Sequence, residues 1–68
     1  MYSVIQQING AFTVKFEGSD LNSIKYNYFN WLSLLYNDTG AVKGVVKLVD
    51  ENLDVVDGCV EFIDKEAK

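Results

Sequence analysis

Asp50, Asn52 and Asp54 occupy alternate positions, and Glu61 closes a twelve-residue span that begins at Asp50. Oxygen donors so spaced, ended by a carboxylate, are what a hard divalent cation requires, so calcium ligation is the first chemistry to weigh. The same region also concentrates charge. From Asp50 to Lys68 there are seven acids (Asp50, Glu51, Asp54, Asp57, Glu61, Asp64 and Glu66) against Lys65 and Lys68, within a chain of net charge −4. Such a row of carboxylates can instead meet Lys or Arg on a protein partner, standing where a nucleic-acid backbone would. Other catalytic groups are scarce. The chain has no histidine and one cysteine, Cys59, so neither a Ser-His-Asp nor a Cys-His arrangement can be assembled and no intrachain disulfide can form.

The cation reading fails on local sequence. The span from Asp50 to Glu61 is similar to the calcium loop of an EF-hand, but Val55 takes the sixth position, where that loop needs glycine for its sharp turn. Its flanks, Val45 to Val49 and Phe62-Ile63, are strand-like rather than helical. An acidic hairpin turn without metal is therefore expected. Phosphate cradles are missing as well, because the chain has neither Gly-x-x-x-x-Gly-Lys nor Gly-x-Gly-x-x-Gly. Carboxylates on short strands imply no cleft of the glycosidase kind, and Cys59, between Gly58 and Val60, reads as a small core hydrophobe. The expectation is a protein that is not an enzyme and holds no cofactor.

A second surface stands out by its lack of charge. Leu21 to Tyr36 carries Tyr26, Tyr28, Phe29, Trp31 and Tyr36, with Lys25 as its only ionised side chain. At 100° per residue, Leu21, Ile24, Tyr28, Trp31, Leu32 and Leu35 form one stripe broad enough to cover a small sheet. The other side presents Asn22, Ser23, Tyr26, Asn27, Asn30, Ser33 and Asn37. Amides, hydroxyls and aromatic rings suit a protein contact without the desolvation of charge, so Tyr26, Phe29 and Tyr36 join Asp50, Glu51, Asp54, Asp57, Glu61 and Asp64 as candidate partner-binding residues.

The elements that must position these groups follow from turn signals. Asn9-Gly10 separates the β-rich runs Tyr2 to Ile8 and Ala11 to Glu17, and is a strong hairpin signal. A three-residue loop would put Tyr2, Val4 and Gln6 on one face with Phe12, Val14 and Phe16; a two-residue loop would instead set Ser3, Ile5 and Gln7 beside those phenylalanines. The first gathers the larger apolar set and is preferred. Ser19 or Asp20 caps the helix, which runs to about Asn37, and Asp38-Thr39-Gly40 turns the chain into a second hairpin, Val42 to Val49 and Leu53 to Asp64. There Val42, Val46 and Leu48 are expected to share the core face with Val56, Val60 and Phe62, with Gly44 and Gly58 leaving room for rings from the helix. The resulting fold class is α+β: a single ββαββ domain, residues 1–68, with a four-stranded antiparallel sheet of order 2-1-3-4 covered on one face by a single helix.

The uncovered sheet face is expected to keep Ile5, Val45 and Val49 or Leu53, interspersed with Thr13, Lys15, Lys43 and Lys47. Sixty-eight residues support only a thin core, while 49% of them are hydrophobic, so a homodimer through that face is a natural way to bury the remainder. No stretch reaches the roughly 18 apolar residues of a membrane span. Met1 leads directly into a strand-like run, so a cytoplasmic protein is expected and the Asn37-Asp38-Thr39 sequon is read as a helix end. Negative charge argues against direct nucleic-acid binding.

Tyr2-Ser3-Val4-Ile5, Gly10-Ala11-Phe12-Thr13-Val14, the aromatic helix ending Leu35-Tyr36-Asn37, and Val49-Asp50-Glu51-Asn52-Leu53-Asp54-Val55-Val56 resemble small uncharacterised proteins of phages and mobile elements in low-GC bacteria. The likeness spans nearly the whole chain but carries no functional motif. In size, acidity and lack of catalytic groups the chain is also similar to phage-encoded inhibitors of host enzymes and defence systems, anti-CRISPR proteins among them. That second resemblance implies an inhibitor or regulator acting by occlusion or acidic nucleic-acid mimicry in a bacterial host cytoplasm, and it transfers no site residue. The alternative is a small structural homo-oligomer with no heterologous target.

Overall fold

The computed structural model describes residues 1–67, in the order β1 (Tyr2–Ile8), β2 (Ala11–Gly18), α1 (Leu21–Asn37), β3 (Val42–Val49) and β4 (Val55–Lys65). The strands form one antiparallel sheet of order β2-β1-β3-β4, and α1 packs across one face of it. The expected ββαββ topology and strand order are both present. Two hairpins joined by a helix reach this arrangement when β1 and β3 become central, because every neighbouring pair then runs antiparallel.

The first hairpin departs from the preferred register. Ile8 pairs with Ala11, leaving Asn9-Gly10 as a two-residue loop with φ of 52° and 83°, the positive values that a type I′ turn demands. Phe12 and Val14 consequently oppose Gln7 and Ile5 on the face away from α1, and Thr13 opposes Gln6 on the helix side. Asn9 holds this turn against the start of β3: its side chain donates to the Ala41 carbonyl at 3.0 Å and accepts from the Lys43 amide at 3.0 Å. A bulge then restores the other parity. Val14 pairs with Ile5 but Phe16 with Val4, so Lys15 is the extra residue and Phe16 returns to pack on the core. Lys15 also leaves the open face, with its ammonium 4.3 Å from the centroid of the Trp31 ring.

Asp20 caps α1 through its carboxylate, which accepts from the Asn22 amide at 3.1 Å and the Ser23 hydroxyl at 2.9 Å. Beyond the other end, the Lys65 ammonium donates to the carbonyls of Asp38 and Gly40, a cation where the helix dipole is negative. The predicted stripe faces the sheet. Ile24, Tyr28, Leu32 and Leu35 are buried, and Leu21 and Trp31 are half-buried against them. Across from them lie Val4, Val42, Val46, Leu48, Cys59 and Ile63.

The second hairpin exchanges faces part-way along β4. Val49 pairs with Val55, whereas Lys47, two residues earlier, pairs with Val60, five residues later. The surplus in β4 is odd, and with Asp57 and Gly58 both at positive φ (51° and 68°) the side chains beyond them point to the opposite face. Val56 packs on the core as expected, but Cys59 and Ile63 replace Val60 and Phe62 there, and Phe62 is 76% exposed. Nor do the glycines seat aromatic rings. A Cβ on Gly44 would lie 1.8 Å from the Gln7 carbonyl oxygen, so that glycine permits close approach of β1 and β3, while Gly58 has open space around it. The strand also starts later than expected, because Leu53 (φ 65°) belongs to the turn.

Candidate protein-binding surfaces

Most of the carboxylates proposed for partner binding already have bonds within the chain. Asp50 Oδ1 accepts from the amides of Asn52 (2.8 Å) and Asp54 (3.1 Å), closing the turn whose sequence resembles a cation loop. Glu51 meets the N-terminal ammonium at 3.1 Å. Asp57 meets Lys25 of the helix at 2.5 Å, and this bond holds the lysine above its ordinary pKa. Asp64 lies 3.8 Å from Lys43, which bonds Glu66 more closely at 2.8 Å; that bond lowers the Glu66 carboxyl pKa and raises that of Lys43. Glu61 accepts from the Tyr36 hydroxyl, which raises the phenol's pKa. Among the described residues, only Asp54 of the six has no side-chain hydrogen bond or ion pair.

These pairs are solvent-exposed, so each adds little stability. Their consequence is for the surface. A polyanion mimic turns unpaired carboxylates toward its partner, whereas here Lys25, Lys43 and the N-terminus already sit among them. No group of three metal-ligating side chains converges among the described residues. Cys59 is buried, and burial raises its pKa, which keeps the thiol protonated and unreactive.

The aromatic residues nominated on α1 are free of the core. Tyr26 is 72% exposed, Phe29 59% and Tyr36 43%; Tyr26 lies opposite the buried stripe, while Phe29 and Tyr36 lie on the flank of α1. Phe29 and Tyr36, seven residues apart, fall on nearly one line of the helix, with Tyr26 a turn before Phe29. Phe29 is braced edge-on by buried Tyr28, their ring centroids 5.1 Å apart at 71°. Tyr36 is fixed by Glu61, so two residues proposed separately as contacts occupy one place on the surface.

The open sheet face forms a third surface, and it is more aromatic than the sequence suggests. Pairing across the four strands aligns Phe12, Gln7, Val45 and Phe62 in one row and Val14, Ile5, Lys47 and Val60 in the next. A shallow depression of about 70 Å³ lies between Phe12, Ile5, Gln7, Val45 and Lys47. Two signals in the sequence could have located these residues. Asn9-Gly10 favours the two-residue loop on conformational grounds, and Asp57-Gly58 inside a strand is a bulge signature.

Fold and surfaces together define a small two-layer α+β protein with an aromatic helix on one side and an apolar sheet on the other. No family model matches the chain, and neither curated proteins nor solved structures gave a match. No helix among the described residues is long and apolar enough to cross a membrane.

Proposed function

We propose that this chain is a non-enzymatic protein-binding module, of the inhibitor or regulator kind suggested by its resemblance in size, acidity and lack of catalytic groups to phage-encoded inhibitors, and that it acts by occluding a surface of a host protein. One observation carries this reading: Tyr26 and Phe29 are exposed together on a helix whose only charged side chain, Lys25, is bound to Asp57. Aromatic anchors held on a rigid element and surrounded by amides are the composition from which interface hot spots are built. Occlusion by these rings is favoured over acidic mimicry because Glu51, Asp57 and Asp64 meet cations of the chain itself, while Asp50 and Glu61 are bonded to turn amides and to the Tyr36 hydroxyl. A second reading, a self-assembling structural subunit, draws on the exposed Phe12 and Phe62 of the open sheet face.

Affinity capture from host extract, comparing the native chain with a Tyr26→Ala, Phe29→Ala double variant, tests the proposal. Loss of a specific captured protein in the variant, with unchanged circular dichroism, is the expected result. Equal capture by both, or capture of the chain's own copies alone, removes the helix-face reading.

A further inference from the structure

We propose that a second copy of this chain covers the open sheet face, the two sheets stacking about a two-fold axis parallel to their strands. The first support is the symmetry of the face. Its outer strands carry the same kind of side chain at the same level: Phe12 on β2 lines up with Phe62 on β4, and Val14 with Val60 one row along. A two-fold axis along the strands exchanges β2 with β4 and preserves the level, so each Phe12 meets the other copy's Phe62 and each Val14 the other copy's Val60. Every such contact then occurs twice, as an isologous interface requires.

Area supports the same occupant. Four strands at about 4.8 Å spacing and about 25 Å long cover roughly 480 Å², so two stacked copies bury on the order of 1,000 Å² in total, the lower bound for a specific interface. Phe12 and Phe62, 64% and 76% exposed, would supply its apolar rim on both sides. Lys47 opposes association, since the axis brings it within one strand of its own copy, and the other copy's Gln7, one row along the facing strand, offers it a carbonyl oxygen; Lys43 and Asp64, a row beyond Val45 and Phe62, are paired with each other at the margin. Stacking leaves both α1 helices on the outside, so the inference is independent of the helix-face reading and would make any such binder bivalent.

Sedimentation equilibrium across micromolar concentrations should give twice the chain mass, and Phe62→Asp should give the single-chain mass with the melting transition retained. Lys47→Met should tighten the dimer by removing the like-charge approach. In a Cys59→Ala background, a short bismaleimide should link a mixture of Val14→Cys and Val60→Cys chains but neither variant alone. A chain monomeric to about millimolar concentration overturns the proposal, as does a dimer that survives Phe62→Asp. Cross-linking of either cysteine variant with itself overturns the axis, as does weaker self-association in Lys47→Met, because the axis sets Lys47 near its own copy and not near an acid.

Discussion

The indole Nε1 of Trp31 donates to the side-chain oxygen of Gln6 at 2.7 Å, joining the middle of the helix to the middle of β1. Gln6 is a polar residue on the helix side of a central strand, and this bond explains why it is tolerated there. The Lys15 ammonium covers the same ring, placed by the bulge that also turns Phe16 inward. Trp31→Ala should therefore remove packing, a hydrogen bond and a cation–π contact together, for a loss of about 3 kcal/mol by denaturant titration. Tyr26→Ala, at an exposed site, should change stability by less than about 0.5 kcal/mol. Equal losses at the two positions would mean that the outer side of α1 is structural.

The alkaline limit of the fold should be set largely by Tyr28. Burial pushes its phenol up from 10.0 to about 12, with smaller contributions from Cys59, Glu61 and Tyr36. A group with a raised folded pKa contributes its stability in full below the unfolded value and loses it as pH rises through the folded one. The window is thus roughly pH 10 to 12. The raised values of Lys25, Lys43, Tyr36 and Cys59 act in the same direction. Melting temperature should fall steeply over that window in the native chain and less so in Tyr28→Phe; identical pH profiles would refute the assignment.

Topology was legible in the sequence because each of its determinants is local: an Asn-Gly turn, a capping aspartate, a helix with a 3.6-residue stripe and a polar turn at Asp50-Glu51-Asn52. Face assignments were less so, because they depend on parity. One residue at Lys15 and an odd insertion around Asp57-Gly58 each reverse which side chains face the helix, and hydrophobicity alone misled at Phe12, Val14 and Phe62. The exposed aromatic residues of α1 were legible because a helix without bulges keeps its phase. The acids were visible as a group, but spacing along the chain could not reveal that Lys25, Lys43 and Tyr36 would fold against them.

Gly44 should be the least replaceable glycine. Its φ of 156° and the 1.8 Å that would separate an added Cβ from the Gln7 carbonyl oxygen leave no room for a side chain without parting the central strands. Gly44→Ala should destabilise by roughly 2 kcal/mol or more, whereas Gly40→Ala, with only the Asp38 side chain nearby at 3.5 Å, should be mild. Comparable melting temperatures for the two variants would contradict the pairing of β1 with β3.

Leu53 should be improvable. It holds a left-handed φ of 65° in the second hairpin turn and is 73% exposed, so a leucine there bears strain with little burial in return. Asparagine accepts that conformation more readily, and Leu53→Asn should raise stability by about 0.5–1 kcal/mol in thermal melts. A loss of stability would place Leu53 in an apolar contact of its own.

The acids and the aromatic residues make opposite predictions for salt and for charge reversal. Asp54 and Glu51 are exposed, Asp54 with its carboxylate unbonded and Glu51 bound only to the chain's first amine, so Glu51→Lys with Asp54→Lys should leave the fold intact. Asp50 is different, since its carboxylate closes the turn, and Asp50→Ala should cost about 1 kcal/mol. If Tyr26 and Phe29 make the contact, the Glu51→Lys, Asp54→Lys double variant should still capture the host protein, and raising salt from about 50 to about 500 mM should weaken capture only slightly, because burial of apolar area is not screened. Loss of capture in that double variant, together with a steep salt dependence, would shift the contact from the helix to the acidic turn and restore mimicry as the mechanism.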